Sequence, residues 1–458
     1  VITSAQNATP VHPGFWASLQ RYCEHNDAEL VVIPLRYKNP TSRWSESQEN
    51  AERWLTDIPD GQRFLFNQRK KLGPNLVLMA DVKTQPTAVT PLSGLDAMTH
   101  GESGIVGHTK LQLKTVATPQ GKYPKIMTTT GACTVENYTD SKAGKKGEFH
   151  HVLGAVVVEL KGSRFHLRQL LGCKDGSFID LENEYRPDGV RPAERPIALV
   201  LGDTHRKFMD PRVERATFGP NGINRQLNPY WLVFHDLHDG YAENPHTAGN
   251  PLVALAKARS GFNDVEKEVR EDYAWLRKVV LEDQEAVLVH SNHNDFLSRW
   301  VMNSDWRLNP ANAEFYLRTA LMMVESTQMS ASGAEWKDPF SYWMERMNDE
   351  AGSDGILLRC LKVDESFCFG GVELGMHGHL GPDGARGSRS NLKKIGVKSI
   401  IGHGHGPGIE EGCYQVGTSS PLRLEYNRGP SSWMHTHAIL YANHKRALIN
   451  IVDGQWRG

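Results

Sequence analysis

The 458-residue sequence has almost no charge imbalance: 52 Lys and Arg stand against 53 Asp and Glu, a formal net charge of −1. That balance excludes a polybasic arm or an acidic tail as a defining feature. Close cysteine pairs are missing too. Cys23, Cys133, Cys173, Cys360, Cys368 and Cys413 are scattered singly, which excludes a zinc knuckle or a redox dithiol and reads as reduced, mostly buried thiols. No window approaches the roughly 18 uninterrupted apolar residues of a membrane span. The opening VITSAQNATP has no charged stretch leading into an apolar one, so neither a membrane segment nor a signal peptide is expected and the protein reads as soluble and cytoplasmic. Low-complexity tracts are absent and 9% of residues are aromatic, which excludes disorder.

Histidine is what stands out. Of 20, seven precede residue 200 and 13 follow it, several in tight pairs. The N-terminal part predicts a small open sheet with packed helices: VITSAQ, ELVVIP and NLVLMAD read as strands, FWASLQRYCEH and SQENAERWL as helices. KIMTTTGACTVEN, VLGAVVVEL and RFHLRQLL continue in strands, and RPDGVRPAERP (186–196) reads as a linker or long turn. Two domains follow, residues 1–190 and 191–458. In the second, PIALVLGDTH, YWLVFHDLHDG, EAVLVHSNHND, FGGVELGMHGH and VKSIIGHGHGPG share one grammar, an apolar run ending in Asp, Asn or His. Buried parallel strands deliver side chains to a sheet's carboxyl edge in this way. A helix is expected from Phe262, Val265, Val269, Tyr273, Leu276 and Val280, with Glu266, Lys267, Glu268 and Arg270 facing solvent.

The strand ends supply Asp203 with His205, Asp236, Asn292 with His293, His377 with His379, and His403 with His405. Two residues at i and i+2 share one side of the chain, so one loop can donate two ligands. A lone H-x-H is more often a structural pair. Carboxylate, amide and imidazole ligands converging from five strand ends, with no thiolate, suit two divalent ions: Mn²⁺ first, with Mg²⁺, Fe²⁺ or Zn²⁺ as alternatives. Two ions held about 3.5–4 Å apart and bridged by a carboxylate form the arrangement that hydrolyses phosphate esters by in-line attack.

GDTH, HDLHD, SNHND, MHGH and GHGH, in this order, resemble the five blocks of the calcineurin-like metallophosphoesterase superfamily over residues 196–420. The resemblance is nearest to the double-strand-break repair nucleases, on Asp236, Leu237 and His238. Over the whole chain the sequence also resembles the pre-early DNA-degradation proteins of T-five-type bacteriophages, through GHGHGPG, CYQVGTSS and HGHLGPDGARGS. The implied fold is α/β, a metallophosphoesterase-type β-sandwich flanked by helices, with an additional N-terminal α/β domain.

The resemblance implies that Asp203, His205 and His405 bind one metal, that Asn292, His377 and His403 bind the other, and that Asp236 bridges. His293 becomes the general acid and His379 a second catalytic candidate beside the substrate. His379 stays open as the alternative fourth-block ligand, His377 being preferred because it comes first off the strand. His235, Ser291 and Asn294 depart from the family pattern; Asn294 deprives His293 of the usual carboxylate partner. The implied activity is a DNA nuclease degrading host DNA early in phage infection, within the host cytoplasm. A metallophosphatase or small-nucleotide phosphodiesterase of the same fold is the alternative.

Arg386, Arg389, Lys393 and Lys394, directly after the fourth block, are expected to hold substrate phosphates. KAGKK (142–146) reads as a disordered loop, with phosphate contact as the alternative. His435 and His437 of WMHTHAILYANH are expected in packing or at a groove rim, with Trp433 placed to stack on bases. DNA is the expected partner and a membrane is not; self-association and a phage or host protein partner both stay open.

Overall fold

The computed structural model describes residues 1–37, 43, 58–119, 121–331, 333–424 and 427–458. The helix expected at SQENAERWL lies outside them. The protein is mixed α/β, and among the described residues its strands form five sheets. No described helix is long and apolar enough to cross a membrane.

A six-stranded sheet carries the first three of the histidine- and aspartate-bearing strand ends. Its order is Leu357–Cys360, Glu285–Leu288, Trp231–Phe234, Ala198–Val200, Thr436–Leu440 and Arg446–Asn450. The first four run parallel, and the last two close the sheet antiparallel. Alternation along each strand splits the side chains between two cores. Val200, Val233 and Val287 enter one cluster with Val372, Ile400 and Ile409 of the neighbouring sheet. Leu199, Leu232 and Ala286 face the other way, onto Val269 and Leu276 of the helix Val265–Val279. Both faces are covered, so these strands read as continuous apolar runs.

The neighbouring sheet has ten strands, among them Val372–Glu373 and Lys398–Ile401 from the C-terminal half and Leu76–Met79, Ser103–Val106 and Lys125–Thr129 from the N-terminal half. The halves join where Gly408–Glu410 pairs antiparallel with Gln112–Val116, Ile409 opposite Leu113. One sheet therefore crosses the expected boundary at residue 190. The five strand ends come from two sheets, three from the six-stranded one and two from the ten-stranded one. An apolar run encodes burial, not its pairing partner.

The first part of the expected linker is a β-hairpin rather than a connecting segment. Asn183–Arg186 and Gly189–Pro192 pair as a hairpin around Pro187-Asp188, and Tyr185 is buried against Phe178 and Tyr22. KAGKK likewise opens a helix, Lys142–His150, whose Ser141 accepts from Gly144 N. In the helix Val265–Val279, Glu268 is fully buried rather than facing solvent, as is Asp272.

Candidate metal centre

Loops leaving the two sheets meet at one end of the shared core. After Ala198–Val200 the chain is pinned by backbone bonds from Asp203 N to Gly417 O, Thr204 N to His235 O and His205 N to Asp236 O. These bonds lay the first block across the second and against the GTSS turn. His405 Nε2 then stands 2.9 Å from Asp203 Oδ2 and 3.2 Å from His205 Nε2. Asp236 Oδ2 lies 3.8 Å from His205 Nε2 on one side and 3.3 Å from His377 Nε2 on the other. Ligand atoms of Asp203, His205, Asp236 and His405 all fall within 4.8 Å of one another. On the other side of Asp236, the His377 and His403 rings are 5.3 Å apart. Asn292 and His403 line the same cavity, of about 750 Å³, as His205, Asp236, His293 and His405. Asp236 and the other six expected ligands are thus gathered in one cleft.

The backbone is strained at four of them. His205, Asp236, His403 and His405 have φ of 40°, 42°, 66° and 50°, a left-handed region uncommon for non-glycine residues and concentrated at functional sites. Glycine makes the close approach possible. A Cβ on Gly402 would stand 2.2 Å from Asp203 Oδ1, and one on Gly404 would stand 2.1 Å from Gln415 Nε2. This is the physical content of G-H-G-H.

Charge in the cleft is held by mutual pairing. Burial raises the Asp203 pKa, but His405 and His377 outweigh it and bring it down to about 2. Burial disfavours a charged His205, yet Asp239, Asp236 and Asp203 lift its pKa to about 9. His205 Nε2 and His405 Nε2 aim at one point between two carboxylates, and Asp236 Oδ1 and Asn292 Oδ1 are buried with no hydrogen-bond partner. Buried polar atoms normally find partners. Carboxylate, amide and imidazole donors left open around one volume fit divalent cations, whose binding would displace the imidazole protons.

His293 is oriented without the missing acid. Its Nδ1 donates to the Asp239 carbonyl at 2.7 Å, so the proton lies on Nδ1 and Nε2 is the free nitrogen. Asn294 instead accepts from Ser291 Oγ at 2.9 Å. Asp239 was not singled out by the sequence reading; its Oδ1 lies 3.2 Å from His205 Nδ1, the carboxylate behind a ligating imidazole. An acid three residues after Asp236 was the available signal.

Other expected residues are placed differently. His379 lines a separate cavity of about 320 Å³ with His290 and His377, its ring 5.3 Å from His377. It does not line the cavity that holds His293. Of the four basic residues expected to hold phosphates, only Arg386 lines that cavity. Arg389 is half-buried and donates to the Gly406 carbonyl at 2.8 Å, Lys393 pairs with Glu410, and Lys394 is exposed away from the cavity. A loop charge takes the nearest acceptor, which sequence proximity to the fourth block does not reveal. Trp433 lines the cavity, its ring 4.1 Å from that of His405. His435 donates to Ser420 O at 2.9 Å. His437 accepts from Gly202 N at 2.9 Å and donates to Thr217 Oγ1 at 2.8 Å. Both are packing residues.

No protein-family model matches the sequence, and no solved structure matches the chain. The sequence is 31% identical over 473 residues to Protein A1 of Escherichia phage T5, covering 100% of this chain and 82% of that protein.

Proposed function

We propose that this chain, which belongs to the family of Protein A1 of Escherichia phage T5, is a two-metal phosphodiesterase of the calcineurin-like type that cuts DNA. Its two packed sheets are then the superfamily's β-sandwich, and its task in the cell is to degrade host DNA early in infection. The observation that carries the reading is the gathering of six oxygen and nitrogen side chains about Asp236, with Asp236 Oδ1 and Asn292 Oδ1 buried and open.

Asp203, His205 and His405 would hold one ion, Asn292, His377 and His403 the other, and Asp236 both. When bound, two such ions neutralise charge on the phosphoryl oxygens and lower the pKa of a nucleophilic water. Asp239 keeps the His205 ring turned towards Asp236 through the 3.2 Å contact at Nδ1. His293, fixed through Nδ1, would take up a second proton at Nε2 and, as the imidazolium, deliver that proton to the leaving oxygen, returning to the neutral ring. Burial pulls its pKa down and Asp236 pulls it up, with a net lowering, so proton transfer is favoured when the leaving oxygen gains charge. Arg386 at the mouth supplies a fork for a neighbouring phosphate, and Trp433 an aromatic face for a base.

One observation favours the second reading, a phosphatase or small-nucleotide phosphodiesterase. Of the four basic residues expected to hold the strand, one faces the cavity. Incubating the purified chain with supercoiled plasmid, linear duplex and an aryl phosphodiester, each with Mn²⁺, Mg²⁺ or chelator, decides between them. Nicking and degradation of DNA that chelator abolishes is expected; cleavage of the aryl ester with both DNAs intact overturns the nuclease reading.

A further inference from the structure

Beside the cleft, the loop from Asp236 to Glu243 is held by a cluster of charges that the chemistry above does not use. His238 is completely buried. Its Nδ1 donates to Asp272 Oδ2 and its Nε2 to Glu243 Oε1, each at 2.7 Å. Its ring stacks on Phe340 at 4.8 Å. Three and four residues on, Tyr241 N and Ala242 N donate to Glu268 at 2.9 Å and 3.0 Å. Asp272 and Glu268 lie one turn apart on the helix Val265–Val279, so both grips come from one rigid element. The same helix reaches the first block through Glu271, which accepts from Arg206 Nη1 at 2.9 Å.

The residues in the grip are the ones whose position matters. The loop begins at the bridging Asp236. Next to His238 comes Asp239, whose carboxylate meets His205 and whose carbonyl holds His293. Gly240 then turns left-handed at φ 64°. We infer that His238, gripped by Asp272 and Glu243, and Glu268, gripping the backbone at 241 and 242, clamp this loop to the helix and so set Asp236 and Asp239 against His205 and His293. His238 is a positioning residue in this arrangement. The effect on turnover rests on the phosphodiesterase reading; the effect on loop order and metal binding does not.

The two nitrogens of His238 can be tested apart. His238→Asn keeps a donor at the place of Nδ1 and with it the link to the helix; His238→Gln keeps one at the place of Nε2 and only the link within the loop. The measurements are manganese binding by calorimetry, hydrogen exchange of the Tyr241 and Ala242 amides, and turnover of an aryl phosphodiester, all on the full chain. His238→Gln is expected to weaken manganese binding about 10–100-fold, the usual cost of losing a supporting partner, and to speed exchange at both amides. His238→Asn is expected to stay within about threefold of the parent in binding, on the same principle.

Equal losses in the two variants, as a merely structural role predicts, or no loss in either, overturn the clamp. If neither variant folds, Glu268→Gln carries the test: faster exchange at the two amides with weaker manganese binding supports the clamp, and unchanged binding overturns it. A parent chain that binds manganese yet cleaves no phosphodiester removes the proposed function and leaves the clamp to be judged on binding and exchange. A parent chain that binds no manganese overturns both.

Discussion

His403 and His405 share their i, i+2 spacing with His435 and His437, yet the two pairs do different work. The first pair follows the strand Lys398–Ile401 in left-handed conformations, with Asp203 and Asp236 in front of it. The second lies at and within the strand Thr436–Leu440, where a serine carbonyl, a glycine amide and a threonine hydroxyl take up its nitrogens. Spacing decides whether two imidazoles can share a side of the chain. What they meet there decides whether they become ligands: open carboxylates favour a cation, whereas backbone partners complete the valence of a neutral ring.

The sharpest way to break this comparison is Asp236→Ala. It removes the group shared by both halves of the cleft, and both bound manganese and all phosphodiesterase activity should vanish, read by metal analysis and the aryl-ester assay. His437→Ala should leave manganese content unchanged in the same analysis. Next in size is His293→Ala, expected to retain metal while turnover falls about 10²–10⁴-fold, the range for a general acid. Turnover at the parent rate would remove His293 from that role.

Acid separates the packed His437 from the cleft residue His205 by sign. Burial lowers the His437 pKa to about 3, so the folded protein keeps the ring neutral while the unfolded chain takes up a proton near pH 6.5. Its neutral-ring stability is complete above that value and is lost as pH falls towards 3, at about 1.4 kcal/mol per unit. His108, lowered to about 4 by burial, behaves alike down to that value. Each should cost about 2 kcal/mol at pH 5, seen as falling urea midpoints in chelator. His437→Gln should flatten that slope. His205, raised to about 9 by its carboxylates, contributes in the opposite sense: its stabilisation is complete below pH 6.5 and lost as pH rises through 9.

The basic loop sharpens the comparison at smaller scale. Arg389→Ala should lower stability by about 1.5 kcal/mol, the loss of a charged hydrogen bond under the loop that carries His403 and His405, without changing the salt dependence of substrate binding. Arg386→Ala should raise KM about threefold, consistent with one exposed phosphate contact, and Lys394→Ala should change neither quantity. A large KM effect at Lys394 would restore the loop as a strand-binding surface.

The candidate ligands could be brought together from the sequence because strand ends impose order on them. An apolar run that stops at Asp, Asn or His places that residue at a sheet edge, whichever sheet the run joins. Less legible was everything that depends on a remote partner. Glu268 and Asp272 sit among the charges of an amphipathic helix, and only the loop at 238–243 makes them interior. Arg389 reads as a free cation until the Gly406 carbonyl is found against it. His379 follows the fourth block as closely as a substrate-side residue should, but Gly378, at φ 105°, turns the chain so that it faces another cavity.

By itself, the sequence determined which chemistry the chain can support: its residue types and their places at strand ends select divalent cations and exclude thiolate sites. Apolar periodicity likewise determined the buried strands and most of the helix Val265–Val279, which starts three residues after Phe262, an exposed residue ahead of the Asp264 cap. The tertiary structure alone decided that two sheets supply the site, that one of them runs through both halves of the chain, and which charges remain open. Local sequence specifies a side chain's type and the face it points from; pairing and neutralisation depend on groups that folding brings from 200 residues away, as from His205 to His405.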